Sequence, residues 1–217
     1  MNKILIIIPT YYEAREFLNK TGACKVNKNL FYIPDLSAHI LICGPGMPAS
    51  MLHTIKYLNQ HPPYHLLIMA GLAGSYNTNI KLCDLVCVET EKTADIGYIH
   101  NQKFHCLTTE DEWESYYQKG VLVNSFQTLR HETGLKNVHS NTVNITNFAI
   151  QGKPDADIEN MEGAGFFMLA NEVNIPFLEI RAISNYVKER DKSKWKNTTA
   201  LDNLHNYLIS YLKNKML

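Results

Sequence analysis

Five short, largely apolar runs separated by segments of helical period constrain the fold of this chain more than any other feature. They are Ile4–Ile8, His39–Cys43, Leu66–Ala70, Leu85–Glu89 and Pro176–Ile183. Polar residues do not alternate within them, so the strands they predict are covered on both faces. Between them, residues 13–19, 48–59, 161–173 and 199–213 carry helical patterns. In the third of these, Phe166, Phe167, Leu169, Ala170 and Val173 make a broad apolar face. The alternation predicts a three-layer α/β/α architecture around a mixed, mainly parallel central sheet. Without a repeat, a low-complexity tract or a linker, residues 1–217 read as one domain. The stretch 100–141 is more polar and less periodic, and 110–117 reads as a solvated or lid-like segment.

Charge and composition exclude several classes of partner. Formal net charge is zero and charged residues make up 19% of the chain, with no run of five like charges. Nothing here favours nucleic acid or an anionic membrane surface. No apolar run approaches the roughly 18 residues that span a bilayer. The five cysteines (24, 43, 83, 87 and 106) have no CxxC spacing and read as reduced thiols, consistent with a cytoplasmic address. The nine histidines show no metal-ligand spacing, so neither a metal nor a cofactor is expected.

An open α/β sheet holds its ligands beyond the carboxyl ends of its strands. Glu13 opens the helix after the first strand; it could simply complement the helix dipole, or it could orient and deprotonate water. Gly44-Pro45-Gly46 follows the second run and permits a tight turn, but lacks the residues of a nucleotide P-loop. Met69–Ser75 joins the third run to a glycine-containing turn, where small residues such as Ala73 and Gly74 leave backbone groups open to a flat heterocycle. Met161 and Glu162 sit at the mouth of the third helix, where one carboxylate can accept from two vicinal sugar hydroxyls. The last run ends in Ser184 and Asn185, and Arg190 in the charged segment beyond could meet an acidic ligand.

In their order and spacing these segments resemble the nucleoside phosphorylase/nucleosidase superfamily along most of the chain. Glu13 falls where the methylthioadenosine/S-adenosylhomocysteine nucleosidases carry a water-activating glutamate. Met69–Ser75 is similar to their Thr-Gly-Ser-Ala-Gly-Gly stretch, and Asn160-Met161-Glu162-Gly163-Ala164 to their ribose-binding Glu-Met-Glu-Ala-Ala. The resemblance implies a nucleoside phosphorylase-like fold, a small-molecule nucleoside substrate and a homodimer. Ala94-Asp95-Ile96-Gly97-Tyr98 and the Ser184–Trp195 segment are more similar to the futalosine hydrolase branch, which implies release of hypoxanthine from futalosine in menaquinone biosynthesis. Position 185 is Asn where the methylthioadenosine enzymes have an acidic Asp. An amide cannot release a proton near pH 7 but can donate a hydrogen bond, which suits a 6-oxopurine. Phe148 matches the place of a base-stacking residue in these relatives. The rival readings are a methylthioadenosine nucleosidase, a purine nucleoside phosphorylase and a catalytically silent nucleoside-binding protein. Arg15 is the only arginine in the first hundred residues, which favours water over phosphate as the attacking group.

Overall fold

Strand β1 (Ile4–Ile8) feeds two cores at once, as a strand buried on both faces must. Ile4, Ile6 and Ile8 enter one core, Leu5 and Ile7 the other. The first core is closed by α1 (Tyr11–Thr21) and α5 (Asn197–Lys215), through Phe17, Leu18, Leu204 and Leu208. The second is closed by α2 (Met47–Gln60) and α4 (Gly163–Glu172), through Tyr57, Phe166, Phe167 and Ala170. Each such large apolar side chain contributes about 1.5–3 kcal/mol by leaving water. The result is the expected three-layer α/β/α arrangement. These observations come from a computed structural model that describes residues 3–61, 63–109, 117–118, 120–146, 155–188 and 191–215.

The sheet between the layers is mixed. Its remaining strands are β2 (Cys24–Lys25), β3 (Leu30–Ile33), β4 (Ala38–Ile42), β5 (Leu66–Ser75), β6 (Leu85–Thr93), β9 (Leu122–Val123), β10 (Lys136–Thr142), β11 (Ile158–Asn160) and β12 (Phe177–Tyr186). Their order is β11-β10-β6-β12-β5-β1-β4-β3-β2, with β9 beside β6. Strands β1, β4, β5 and β12 run parallel to their neighbours among themselves, and β12 is antiparallel to β6. Strand β11 also pairs with the end of β5, through Ile158↔Ser75 and Glu159↔Gly74. Strands β5, β12, β6, β10 and β11 therefore close into a ring. A separate hairpin, β7 (Gly97–His100) with β8 (Lys103–Cys106), stands outside it, and a short helix α3 (Gln127–His131) precedes β10.

Three expectations are corrected. Residues 71–75 are no turn: β5 continues through Ser75, since β12 on one side and β11 on the other supply pairing partners. The helix expected from Met161 begins at Gly163, because residues 158–160 are drawn into the sheet as β11. The polar stretch 100–141 contributes β10, a long strand of the main sheet whose partners are non-local. Within that stretch, 110–116 lies outside the described residues. Cys43 and Cys87 are buried, which pushes each thiol up to about 12 and leaves it a poor nucleophile.

Candidate active site

Glu13 is placed by the start of α1. Thr10 caps the helix with its hydroxyl, which accepts from the Glu13 N–H at 3.2 Å. The same hydroxyl donates to Glu13 Oε2 at 2.6 Å, and the Leu72 N–H of β5 donates to Oε1 at 3.1 Å. From below, His205 of α5 donates to the Glu13 carbonyl at 2.8 Å. Burial is the largest influence on this carboxyl and pushes it above the ordinary glutamate range. The bonds from Thr10 and Leu72 pull it back; nearby Glu162 raises it and Arg181 lowers it.

Glu162 stands on the other side of the same space, immediately before α4. Its Oε1 accepts from the Gly46 N–H at 2.9 Å. Gly44 and Gly46 have φ of 91° and 80°, the left-handed region that favours glycine, so this turn can present that N–H. Its Oε2 accepts from Arg181 Nη1 at 3.3 Å. Arg181 is fully buried on β12, and also donates from Nε to Glu179 at 2.7 Å and from Nη2 to Asn160 Oδ1 at 3.0 Å.

Asn160 ties this network to the helix. Its Oδ1 accepts from the N–H groups of Glu162 (2.8 Å) and Gly163 (2.7 Å), so it satisfies the open end of α4. Its amide donates to Glu91 at 2.5 Å and to Ser140 at 2.9 Å. Glu91 is fully buried, and Thr142 donates to its second oxygen at 2.8 Å. Burial first, then the neighbouring Glu179 carboxylate, pushes Glu91 well above the ordinary range. Glu179 is raised by burial but held back by the Arg181 guanidinium. Glu91 is thus the member of the pair that takes up a proton first as pH falls.

Asn185 completes the constellation from β12. A register shift between Ile183 and Asn185 lets both Ser184 and Asn185 reach the space above β5. Ser184 donates to Asn185 Oδ1 at 2.8 Å, and the Asn185 amide donates to the Tyr186 carbonyl at 3.3 Å. A side chain at Gly74 would meet Val187 at 2.9 Å and Asn185 Nδ2 at 3.1 Å, so glycine there preserves the approach of β12.

One cavity of about 260 Å³ gathers these groups. Glu13, Ala73, Gly74, Met161, Glu162, Ser184 and Asn185, all singled out from sequence, line it together. Phe148 and Arg190 lie outside the described residues. Glu91, Asn160, Glu179 and Arg181 were not singled out. Glu179 and Arg181 had a visible signal, two charges inside an otherwise apolar strand, because charged residues are almost never fully buried unless paired. The arrangement sets three carboxylates, Glu13, Glu159 and Glu162, and two amides, Asn160 and Asn185, around one void, with Glu159 held by the Tyr76 hydroxyl at 2.7 Å. Among the described residues, no group of acids, histidines and cysteines could hold a metal ion.

The chain matches the phosphorylase superfamily over residues 3–213 and belongs to it. Futalosine hydrolase of Thermus thermophilus is 29% identical over 171 residues, covering 74% of this chain and 75% of that protein. Among solved structures, methylthioadenosine nucleosidase of Arabidopsis thaliana superposes with a TM-score of 0.80 at 18% identity, over 99% of this chain and 96% of that one. Futalosine hydrolase of Helicobacter pylori gives 0.76 at 15% identity, over 98% of each chain. At these identities the two structures establish the shared fold.

Proposed function

We propose that this chain hydrolyses the N-ribosidic bond of futalosine, releasing hypoxanthine and dehypoxanthinyl futalosine in menaquinone biosynthesis. The observation that carries the reading is that Glu13, Glu162 and Asn185 line one cavity. Breaking the bond between sugar and purine builds positive charge on the ribose and negative charge on the base, as in related glycoside chemistry. Glu13 is the base that holds and deprotonates water. Glu162 and the backbone of Met161 bind the ribose hydroxyls, while the Arg181 bond fixes the carboxylate of Glu162. Asn185, oriented by Ser184, donates to the purine as its charge grows, and Ala73 and Gly74 give the base a flat wall. Phe148 remains the proposed stacking partner.

Water rather than phosphate is the proposed attacker. Arg15 is 58% exposed and paired with its neighbour Glu16, and Arg181 is taken up by Glu179 and Glu162. Among the described residues the cavity wall carries no arginine for an oxyanion. The relative from Thermus thermophilus supports futalosine as substrate. We further propose that residues 1–217 act as one hydrolase unit, as a homodimer, in the cytoplasm.

The test is to incubate the purified protein with futalosine, inosine and methylthioadenosine, with and without phosphate, and to identify the released base by chromatography. Hypoxanthine released from futalosine without phosphate is the expected result. Phosphate-dependent release would make it a phosphorylase, adenine from methylthioadenosine as the faster product would make it the other nucleosidase, and tight binding without turnover would make it a silent binder.

A further inference from the structure

Behind the cavity wall lies a group of buried charges that do not balance. Arg181 has no exposed surface, and its donors reach Glu179 (2.7 Å), Glu162 and Met69 (3.3 Å each), Asn160 (3.0 Å) and the Leu72 carbonyl (3.5 Å). Glu91, on β6, has no exposed surface either, and its oxygens accept from Asn160 at 2.5 Å and from Thr142 at 2.8 Å. The place a side chain would take at Gly163 lies 2.1 Å from Glu91 Oε1 and 2.7 Å from Glu179 Oε1, so the two carboxyls meet over that glycine. Around the pair stand Arg181, Glu162 and Tyr117, whose hydroxyl is 3.0 Å from that of Thr93. Glu91, Glu179 and Glu162 therefore share one cation.

Ionised carboxylates only accept, so a hydrogen bond between Glu91 and Glu179 requires one proton. Two like charges so close in a buried site cannot both form at neutral pH, and the proton belongs to the pair. Among the described residues no donor reaches Glu179 Oε2, which is buried, so nothing but Arg181 and that proton offsets a second negative charge. Removing the proton pulls the guanidinium toward the dyad. Arg181 already lies closer to Glu179, at 2.7 Å, than to Glu162, at 3.3 Å, and the longer ion pair is the one that gives way.

We propose that Glu91 and Glu179 form a one-proton dyad that positions Glu162 for the sugar. The shared proton keeps Arg181 on the Glu162 carboxylate; its loss in alkaline solution turns Arg181 inward and loosens the grip on the ribose hydroxyls. Both are positioning residues, since neither lines the cavity and each acts through Arg181. The inference rests on the reading of Glu162 as the sugar-binding carboxylate and deepens it, by making that grip depend on a proton held behind the wall.

The test measures kcat and KM for futalosine from neutral to alkaline pH in the wild type, Glu91→Gln and Glu179→Gln. Either amide leaves the dyad with at most one negative charge. The alkaline-to-neutral ratio of KM is expected to be roughly tenfold larger in the wild type than in either variant, the scale of one lost hydrogen bond to a charged group. The change falls in KM and not in kcat, because the sugar is gripped before and during bond breaking. Titration of the purine itself affects all three proteins alike and cancels. Equal ratios overturn the dyad, as does a change confined to kcat; if one variant does not fold, the other carries the comparison. If the wild type cleaves no nucleoside, the proposed function falls, and infrared spectroscopy decides the dyad alone. A protonated-carboxyl band stronger at neutral pH in the wild type than in either variant supports the shared proton, and equal bands overturn it.

Discussion

Burial makes Glu13 a stronger base than a glutamate in water, because removing it from solvent disfavours its charged form. Glu13→Gln keeps the shape and can still accept from the Leu72 N–H, yet it cannot take a proton. Its kcat on the cleaved nucleoside should fall at least ~100-fold with little change in KM, measured by steady-state kinetics. In the proposed role only ionised Glu13 can take a proton from water, so kcat/KM should be lost as pH falls through a value above the ordinary glutamate range. A profile that stays level down to the range of an exposed glutamate would remove Glu13 from that role. At this scale the cavity-lining groups were legible, because each stands at the carboxyl end of a buried run or the start of a helix. The network beneath them was not. Arg181 finds Glu162 from β12 and Glu162 finds the Gly46 N–H from far along the chain, and no local pattern records such partners.

The first turn of α4 is where this network is most tightly packed. A methyl group at Gly163 would come within 2.1 Å of Glu91 Oε1 and 2.7 Å of Glu179 Oε1, both on fully buried side chains. Gly163→Ala should therefore cost at least about 1–3 kcal/mol, lowering the Tm by roughly 2–10 °C in thermal unfolding. An unchanged Tm would mean that the carboxyl pair has room to part. The runs for β1, β4, β5, β6 and β12 and the four long helices were legible from apolar patterning. Strands β10 and β11 were not. In β10 (Lys-Asn-Val-His-Ser-Asn-Thr) only Val138 is apolar, and its buried Ser140 and Thr142 bond to Asn160 and Glu91 instead of joining a core. A strand selected for hydrogen bonding to Glu91 and Asn160 carries no hydrophobic period.

Across the whole molecule the buried carboxyls couple stability to pH. The folded-state value of Glu91 is raised above its unfolded value, about 4.3 for a free glutamate. Its contribution is complete below that value and is lost as pH rises through the folded one. Glu91→Gln, which stays neutral, should show a flatter decline of Tm with rising pH than the wild type; parallel declines would mean that position 91 holds no extra proton. The proposed homodimer gives a second check, a light-scattering mass of two chains. The order of strands also has a consequence for how the protein is made. Strand β12 lies between β5 and β6, yet it leaves the ribosome about a hundred residues after them. Until then the nascent chain carries two unsatisfied edges of the kind that invite wrong partners. The candidate site, whose wall includes Ser184 and Asn185 of β12, is consequently completed only once that late strand has entered the sheet.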